Sequence, residues 1–547
     1  MTYSLRKTAL ISSLCAVMYP AITMANSNMV SLTDDEMAAE TGQALLSLAY
    51  TAPSGSGTGA NYTDYGYYKL GMEAKMELNA NIRSLQLGCG GRNGPGNCDI
   101  DIENLSLSGP ADGRATSNIV ADNGAPEWSQ GRANTSALLT NPFIEFAIKN
   151  PNSASTREVV GFRLSAEDIL GHMSAGTVND IDSNGLSTGG GIKSFSGYIK
   201  VGTTPVTAST QQAIFGTTED QAIAANVSID LLLGKANKTA QTNVNLMTPG
   251  RTGYKAPDGS NTNIYKYNGT PIWGINVPSQ TVNFDFPQTA VTGNRMSQLN
   301  LVVRDVPVGE ALGSDGKKRI AIGRDSGGIS MILSSPAAGL VDAATFFMGS
   351  NNNNGTVAAC SATYRPGDCS YITDLQANVT VKQNFNLIHN LPLTSGGYLS
   401  LQKEALRWPG SASAFTYNTA TKVYTDRADN YNPTDVEVMN YGDIAQPGWW
   451  MSFKDPLDFG ALNPTTGIPM DDVLPQLATY ITDYLSQNII NVGFGDAIGA
   501  LFGSPLYKGL GDIQLAADAR AVMVLENLLL DGNQKAVANC FGGLKFC

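Results

Sequence analysis

The cysteines are the residues whose spacing most clearly predicts chemistry in this chain. Six of them form close pairs, and the first two pairs enclose loops of equal length that are rich in glycine or proline; the pairs are Cys89 with Cys98, Cys360 with Cys369, and Cys540 with Cys547. Loops of this kind, without histidine partners, favour disulfides formed in an oxidising compartment, and the alternative is a metal knuckle. In the loop-entropy model each closure stabilises by only about 2.5–3 kcal/mol, so the predicted disulfides are local crosslinks.

Groups that could catalyse a reaction are scarce. The chain has two histidines, His172 and His389, which leaves little for histidine-based catalysis or a zinc site. Residues 185–189 match the G-x-S-x-G pattern of hydrolases around Ser187. No strand is predicted before this serine and no helix after it, so the turn that exposes such a nucleophile is missing. The sequence therefore predicts a protein that is not an enzyme.

One segment resembles the start of a calcium loop. Asp180, Asp182 and Asn184 alternate before Gly185, but Gly191 occupies the position at which such a loop needs a glutamate. The simpler interpretation is a tight turn held by the aspartate side chains. We therefore predict no cofactor and keep calcium at these three residues as the alternative.

Two adjacent tryptophans, Trp449 and Trp450, follow a proline and a glycine. Successive side chains of a strand point to opposite faces, so one indole is expected in the core and the other outside. An outward tryptophan could anchor a partner subunit or stack on a sugar, and the alternative is that it packs beneath a neighbouring loop. Both residues are candidates for partner docking.

The elements that must position these residues are predicted to be strands. The chain has 58 glycines and only 15% charged residues, compared with about 25% in typical soluble proteins. Alternating apolar residues bounded by Gly, Pro and Asn indicate half-buried strands. The predicted fold class is mainly β, with two β-sandwich-like or jelly-roll-like units that carry disulfide-pinched loops, plus a small α+β C-terminal portion. A net charge of −12 without a basic cluster excludes nucleic acid as a partner.

The predicted boundaries divide the chain into a signal peptide, a docking segment, two β units and a C-terminal portion with a helix, strands and the last disulfide. In order, they span residues 1–25, 26–50, 51–250, 251–465 and 466–547. Residues 51–70 read as a loop, and 234–272 as a long excursion or linker. Apolar residues at helical spacing predict a helix at 473–485.

Residues 1–25 have the pattern of a secretory signal peptide. Arg6 and Lys7 precede a short apolar run that includes Cys15, and small residues precede a cleavage point after Ala25. No later stretch is long and apolar enough for a transmembrane helix. We expect an exported protein, located in the periplasm, on the outer surface or in an extracellular filament.

The segment after the signal is predicted to dock on another surface. Thr33 and Glu36 form a capping box, which predicts a two-turn helix at 34–41. Because a helix this short is only marginally stable by itself, we expect it to dock on a neighbouring subunit or assembly partner. The alternatives are packing on its own β unit and a second processing site. Its apolar contacts would be Leu32, Met37 and Leu45.

Several fragments resemble Fil-type pilus-assembly proteins of Gram-negative bacteria. They are scattered over most of the chain: residues 32–44 (LTDDEMAAETGQA), 98–109 (CDIDIENLSLSG), 157–165 (REVVGFRLS), 191–200 (GIKSFSGYIK), 447–453 (PGWWMSF) and the tail that ends in cysteine. The resemblance implies a secreted structural protein at the cell surface, a subunit or accessory of a pilus-like filament. Its expected partners are copies of itself or other filament-assembly proteins. The alternative is an adhesin or carbohydrate-binding module that binds a surface glycan.

Overall fold

A computed structural model describes much of the chain from residue 46 onward. The described residues are 46–53, 65–90, 93–109, 136–184, 186–211, 213–215, 219–221, 223–231, 234–242, 266–267, 270–271, 275–277, 279–322, 330–334, 345–349, 364, 370–394, 396–418, 423–426, 437–440, 442–457, 459, 462–501, 512–529 and 534. The predicted signal peptide and the predicted helix at 34–41 lie outside them. The chain forms two compact units, Met1–Ser47 and Leu48–Cys547. Of the first unit the structure describes Leu46 and Ser47.

Strands dominate the described chain. They are β1 (Leu46–Thr51), β2 (Tyr65–Met72), β3 (Lys75–Leu78), β4 (Ala80–Leu87), β5 (Ile100–Ser108), β6 (Ala137–Lys149), β7 (Glu158–Ala175), β8 (Gly191–Val201), β9 (Thr204–Ser209), β10 (Ala213–Phe215), β11 (Ala224–Leu231), β12 (Gly234–Thr242), β13 (Lys266–Tyr267), β14 (Thr270–Pro271), β15 (Ile275–Val277), β16 (Thr281–Phe286), β17 (Thr289–Met296), β18 (Gln298–Pro307), β19 (Arg319–Ile322), β20 (Ser330–Ser334), β21 (Thr345–Gly349), β22 (Ser370–Thr373), β23 (Gln376–Asn384), β24 (Asn390–Leu393), β25 (Gly397–Gln402), β26 (Phe415–Asn418), β27 (Val423–Asp426), β28 (Glu437–Asn440), β29 (Gly448–Phe453), β30 (Ile490–Val492), β31 (Asp512–Gln514) and β32 (Arg520–Glu526). The helices are α1 (Leu474–Gln487) and α2 (Phe494–Leu501). The prediction of a mainly β fold is confirmed, whereas the sandwich or jelly-roll arrangement stays a prediction.

The largest sheet contains twelve strands of the described chain. Its main path runs β1-β2-β6-β7-β25-β29-β8-β5-β4, with β3, β17 and β24 attached to β6, β8 and β7. Smaller sheets follow the orders β20-β21-β12-β11-β30, β18-β23-β32, β19-β22-β31, β27-β26-β28, β10-β15, β13-β14 and β16-β9. Strands from the predicted units 51–250 and 251–465 pair directly in the largest sheet, because β25 lies against β7. Parallel pairs also join the predicted C-terminal portion to both units, β30 to β11 and β32 to β23.

Strand β7 closes part of this sheet into a ring. One of its edges pairs with β6 and then with β5, and the other pairs with β25 and then with β24. Because β25 pairs with β29, β29 with β8 and β8 with β5, hydrogen-bonded strands lead back to β7. The ring closes at Gly197 of β8, where an added Cβ would overlap with the carbonyl oxygen of Met451 and the ring of Phe195. Only a glycine lets β8 approach β29 this closely.

Two hydrophobic clusters support the sheet. The larger one combines β5 and β8 with β9, β11, β18, β23 and one face of α1. That face of α1 consists of Leu474, Leu477, Ala478, Ile481 and Leu485, so the helix predicted at 473–485 lies where its apolar spacing placed it. The smaller cluster contains Trp408 and Trp450 together with tyrosines of β2, β8 and β25. Among the described helices none is long and apolar enough to cross a membrane.

Two predictions of irregular structure were wrong in part. The segment read as a loop at 51–70 includes the first residues of β2, in which Tyr65 and Tyr67 are buried. Aromatic residues favour strands, and here burial against Trp408 outweighs the glycines nearby. The supposed linker at 234–272 begins with β12, which pairs along its length with β11. Polar residues of β12 form a strand because a partner satisfies their backbone groups.

Candidate functional site

The surface of β2, β6 and β7 has the most unusual distribution of side chains among the described residues. Tyr68 lies opposite Phe146, and Leu70 lies opposite Ile144, which in turn lies opposite Leu164. Directly opposite residues share one face of a sheet, so these five side chains are neighbours. Their exposed fractions are 37–47%. We call these five residues the apolar face.

The apolar face extends beyond its five members. Tyr50, Met72 and Val159 lie nearby and are 45%, 36% and 51% exposed, and the ring centroids of Tyr50 and Tyr68 are 4.5 Å apart with the rings tilted by 35°. From side-chain areas of about 150–250 Å² for aromatic residues and somewhat less for aliphatic ones, the eight residues expose on the order of 600 Å². A monomeric soluble protein rarely leaves a larger contiguous apolar patch uncovered. The face therefore has the size of an interaction surface.

The opposite side of the same strands buries charge. Glu145 and Arg163 alternate with members of the apolar face, yet they are only 2% and 6% exposed. The Arg163 guanidinium donates to Glu145 at 2.6 Å and to the carbonyl oxygen of Pro409 at 2.8 Å. It also lies 5.3 Å from the ring of Trp408. Burial raises the pKa of the Glu145 carboxyl, and the charge of Arg163 opposes that shift. Charged residues inside and apolar residues outside invert the usual pattern.

A buried carboxylate explains how the inner side is held. Asp443 is fully buried and accepts hydrogen bonds from the Tyr398 hydroxyl at 2.6 Å, the Ser452 hydroxyl at 2.5 Å and the Trp450 indole at 3.0 Å. Burial raises the pKa of the Asp443 carboxyl, although these hydrogen bonds oppose the shift. Burial also raises the pKa of Tyr198, with Asp443 adding to the effect. The carboxylate thus joins β25 and β29 to the segment 442–447, which precedes β29.

The two tryptophans of β29 lie on opposite faces, as expected for successive strand residues. Trp450 is 1% exposed and donates to Asp443, so it is part of the core. Trp449 is half-buried and packs against the larger hydrophobic cluster, and its ring meets that of Phe162 edge-on at 6.0 Å. Phe162 lies opposite Phe146 of the apolar face. The docking role of Trp449 and Trp450 stays a prediction.

Cys89 and Cys98 form the predicted disulfide. The loop that it closes contacts Trp449 through Asp99. Asp99, next to Cys98, is 7% exposed; it accepts a hydrogen bond from the Asn93 side chain at 2.7 Å and one from the Trp449 backbone N–H at 2.9 Å. A Cβ on Gly448 would collide with the Asp99 carboxylate. The crosslinked loop therefore clamps the start of β29.

The calcium candidate residues act as turn residues. Asp182 accepts the backbone N–H groups of Asn184 at 2.8 Å and Leu186 at 3.0 Å, and these bonds lower the pKa of its carboxyl. Asp180 accepts the N–H of Ile181 at 2.9 Å. Within the described residues there is no group of three or more His, Cys, Asp or Glu side chains that could hold a metal ion. The hydrogen bonds of Asp180 and Asp182 agree with the interpretation of this segment as a tight turn, and calcium stays the untested alternative.

The serine and histidines noted in the sequence occupy structural positions. Ser187 bridges to Ile181 and accepts the N–H of Gly189 at 3.2 Å, within a turn that leads into β8 instead of a helix. His172 and His389 are fully buried, and His389 Nδ1 bonds to the carbonyl oxygen of Ala175 at 2.8 Å. Burial lowers the pKa of His389. These contacts give Ser187 no elbow geometry of the hydrolase kind.

The remaining predicted site residues lie outside the described part of the chain. They are Leu32, Met37 and Leu45 of the docking segment and the cysteines Cys360, Cys369, Cys540 and Cys547. Sequence reasoning missed the apolar face, Asp443 and the pair formed by Arg163 and Glu145. The one available signal was in β6, where Ile144 and Phe146 flank Glu145, but this alternation does not tell which face is covered.

The described residues define a mainly β protein with an uncovered apolar sheet face. No family model matches this chain, and neither the curated proteins nor the solved structures contain a match. Its function must therefore be inferred from the surface itself.

Proposed function

We propose that the protein is an exported structural protein of the bacterial cell surface, a subunit or accessory of a pilus-like filament that assembles through its apolar face. The observation that carries this proposal is the inversion in β6 and β7. Ile144, Phe146 and Leu164 are exposed while their neighbours Glu145 and Arg163 are buried. Contiguous apolar patches of this size often mark interaction sites, and a subunit needs such a surface to bury against another molecule.

The apolar area of the face is large enough to contribute substantially to assembly. Covering on the order of 600 Å² of apolar surface contributes on the order of 15 kcal/mol per copy, at about 25 cal/mol per Å². Association costs about 4–15 kcal/mol in lost translational and rotational freedom. The two faces buried in a contact between copies together offset that part of the cost, and side-chain ordering and desolvation of polar groups add to it. The mildly acidic surface and the export signal predicted at 1–25 are compatible with a subunit of an extracellular assembly.

Filament formation by purified protein tests the proposal. The variant Phe146→Ser with Leu164→Ser makes the face polar without touching the buried side of the strands. The control, Val302→Ser with Val522→Ser, alters two valines on a different sheet that are 42% and 53% exposed. We expect filaments in negative-stain images of the wild type and of the control, and none for the face variant.

Two outcomes would contradict the proposal. The first is filament formation by the face variant at the wild-type protein concentration. The second is a wild-type protein that stays monomeric in sedimentation velocity at every concentration at which it is soluble. Near-ultraviolet circular dichroism of the face variant should match that of the wild type, because the altered side chains lie outside both hydrophobic clusters.

A cavity supports the alternative function, carbohydrate binding. It measures about 260 Å³ and is lined by Tyr65, Tyr67, Arg407, Trp408 and Ser411, among others. The indole N–H of Trp408 has no hydrogen-bond partner among the described residues. The cavity has polar groups and room for a ring of monosaccharide size, although the lining aromatic residues Tyr65, Tyr67 and Trp408 are themselves buried. Binding of the face variant to a glycan array would support this function, and the variant Ser411→Trp, which fills the cavity, should abolish such binding.

A further inference from the structure

The edge strand β1 differs from the other edges of the largest sheet. Its sequence, LSLAYT, contains no charged residue and no proline. Leu48 is 80% exposed and Tyr50 is 45% exposed. Among the described residues β1 has β2 as its one strand partner. An uncharged, exposed edge strand is a template for pairing with another chain.

Every other strand with a single partner in this sheet carries a feature that discourages such pairing. Strand β3 has Lys75 and Glu77, β4 has Arg83, β17 has Arg295 and β24 has Pro392. Charged side chains and prolines are the usual means by which proteins keep a strand edge from pairing. Among the described single-partner strands of this sheet β1 alone lacks them, so its edge is the one in this sheet that is suited to accept a further strand.

We propose that β1 pairs antiparallel with β1 of a second copy around a two-fold axis, so that two sheets join edge to edge. This inference rests on the proposed function, because it supplies the second contact that a filament requires. If the apolar face packs on the same face of another copy, that contact closes at a dimer. A chain of copies then needs a different contact on each subunit, and the edge of β1 provides it.

The chemistry of β1 favours a second copy as its partner. The protein has a net charge of −12, so two copies repel each other wherever charged surfaces meet. A two-fold contact places each strand against itself, and like charges directly opposite each other in a sheet are destabilising. The sequence LSLAYT carries no charge, so its self-pairing avoids this penalty. Backbone hydrogen bonds supply the attraction, as in other cases of strand addition.

Contacts of Tyr50 with β2 fix the conformation of β1 before it gains a second strand. The Tyr50 ring lies over Gly66 of β2, where an added Cβ would meet ring atoms of Tyr50 and Cγ of Pro151 at 2.9 Å. The centroid of the same ring lies 4.5 Å from that of the Tyr68 ring. Because Tyr50 is held by these contacts, β1 loses less conformational freedom when it gains a second strand. Joining two copies here also makes their apolar faces neighbours.

The test isolates the β1 contact in the face variant, Phe146→Ser with Leu164→Ser. We expect this variant to sediment as a dimer. Adding Ala49→Lys, at an exposed position of β1, places two like charges near the two-fold axis. The dimer dissociation constant should rise at least tenfold. Adding Ala49→Glu should have the same effect, and an equimolar mixture of the two variants should recover the dimer. Ser84→Lys on the edge of β4 is the matched control and should leave the dimer unchanged.

The outcomes separate this inference from the proposed function. A face variant that is already monomeric, an Ala49→Lys variant that stays dimeric, or a mixture that fails to recover the dimer overturns the β1 contact. Recovery in the mixture excludes misfolding of β1 as the reason for dissociation. Filaments of the wild type that persist in Ala49→Lys also overturn the β1 contact, but they leave assembly through the apolar face intact. Absence of filaments in the wild type overturns the proposed function itself.

Discussion

Removal of the Asp443 carboxylate should destabilise the inner side of the largest sheet strongly. The variant Asp443→Ala leaves three buried donors without an acceptor, namely the hydroxyl groups of Tyr398 and Ser452 and the indole N–H of Trp450. Each unsatisfied buried donor costs about 1–3 kcal/mol, and relief of the buried charge offsets part of that cost. We expect the free energy of unfolding to fall by about 3–5 kcal/mol.

Guanidinium-induced unfolding followed by tryptophan fluorescence measures this change. Trp450 contacts Asp443 directly and Trp408 belongs to the same cluster, so the signal reports on this region. Asp168→Ala is the matched control because Asp168 is exposed on β7, and it should change stability by no more than about 0.5 kcal/mol.

A graded variant tests the reasoning further. Tyr398→Phe removes one of the three donors and should cost about 1.5–3 kcal/mol, since the lost hydrogen bond is to a carboxylate. If Asp443→Ala is no more destabilising than Asp168→Ala, the three hydrogen bonds do not hold β25 and β29 to the segment 442–447. A larger loss in Tyr398→Phe than in Asp443→Ala would refute the assignment of Asp443 as the common acceptor.

Three further predictions concern the same framework. Burial raises the pKa of Asp443 in the folded protein above its unfolded-state pKa of about 3.9. The stability that the protonated carboxyl contributes is therefore complete below the unfolded-state pKa and is lost as the pH rises through the folded-state pKa. The wild type should gain stability relative to Asp443→Asn as the pH falls from 7 to 4.5, and a pH-independent difference in urea unfolding would contradict this. Gly197→Ala should lower the free energy of unfolding by at least about 2 kcal/mol or prevent folding, because its Cβ would overlap with β29. Gly495→Ala in α2 is the control, since a Cβ there meets open space; thermal unfolding should show a gain of about 0.5–1 kcal/mol. Replacing Cys89 and Cys98 by Ser should lower the free energy of unfolding by about 2.5–3 kcal/mol, and an unchanged value under oxidising conditions would show that the loop is held by other contacts.

Local features of the structure could be predicted from the sequence. Alternating apolar residues and frequent glycine predict a mainly β protein because the side-chain period of a strand is two. The same reasoning at helical spacing predicts α1, whose residues Leu477 and Ile481 are buried. Close spacing of Cys89 and Cys98 predicts their disulfide, and adjacency of Trp449 and Trp450 predicts indoles on opposite faces of the strand. Each of these predictions depends on residues that are near one another in the chain.

The tertiary structure decided the rest, because strand pairing and burial depend on residues far apart in the sequence. Leu164 of β7 lies opposite Leu399 of β25, more than two hundred residues later, and no periodicity encodes that choice of partner. In β6 the sequence alone favours burial of Ile144 and Phe146 and exposure of Glu145. The reverse holds because Arg163 neutralises Glu145 beneath the segment that carries Trp408 and Pro409, while the described residues leave the apolar side uncovered. Alternation tells that a strand has two different faces, and only the packing of distant elements determines which face is buried.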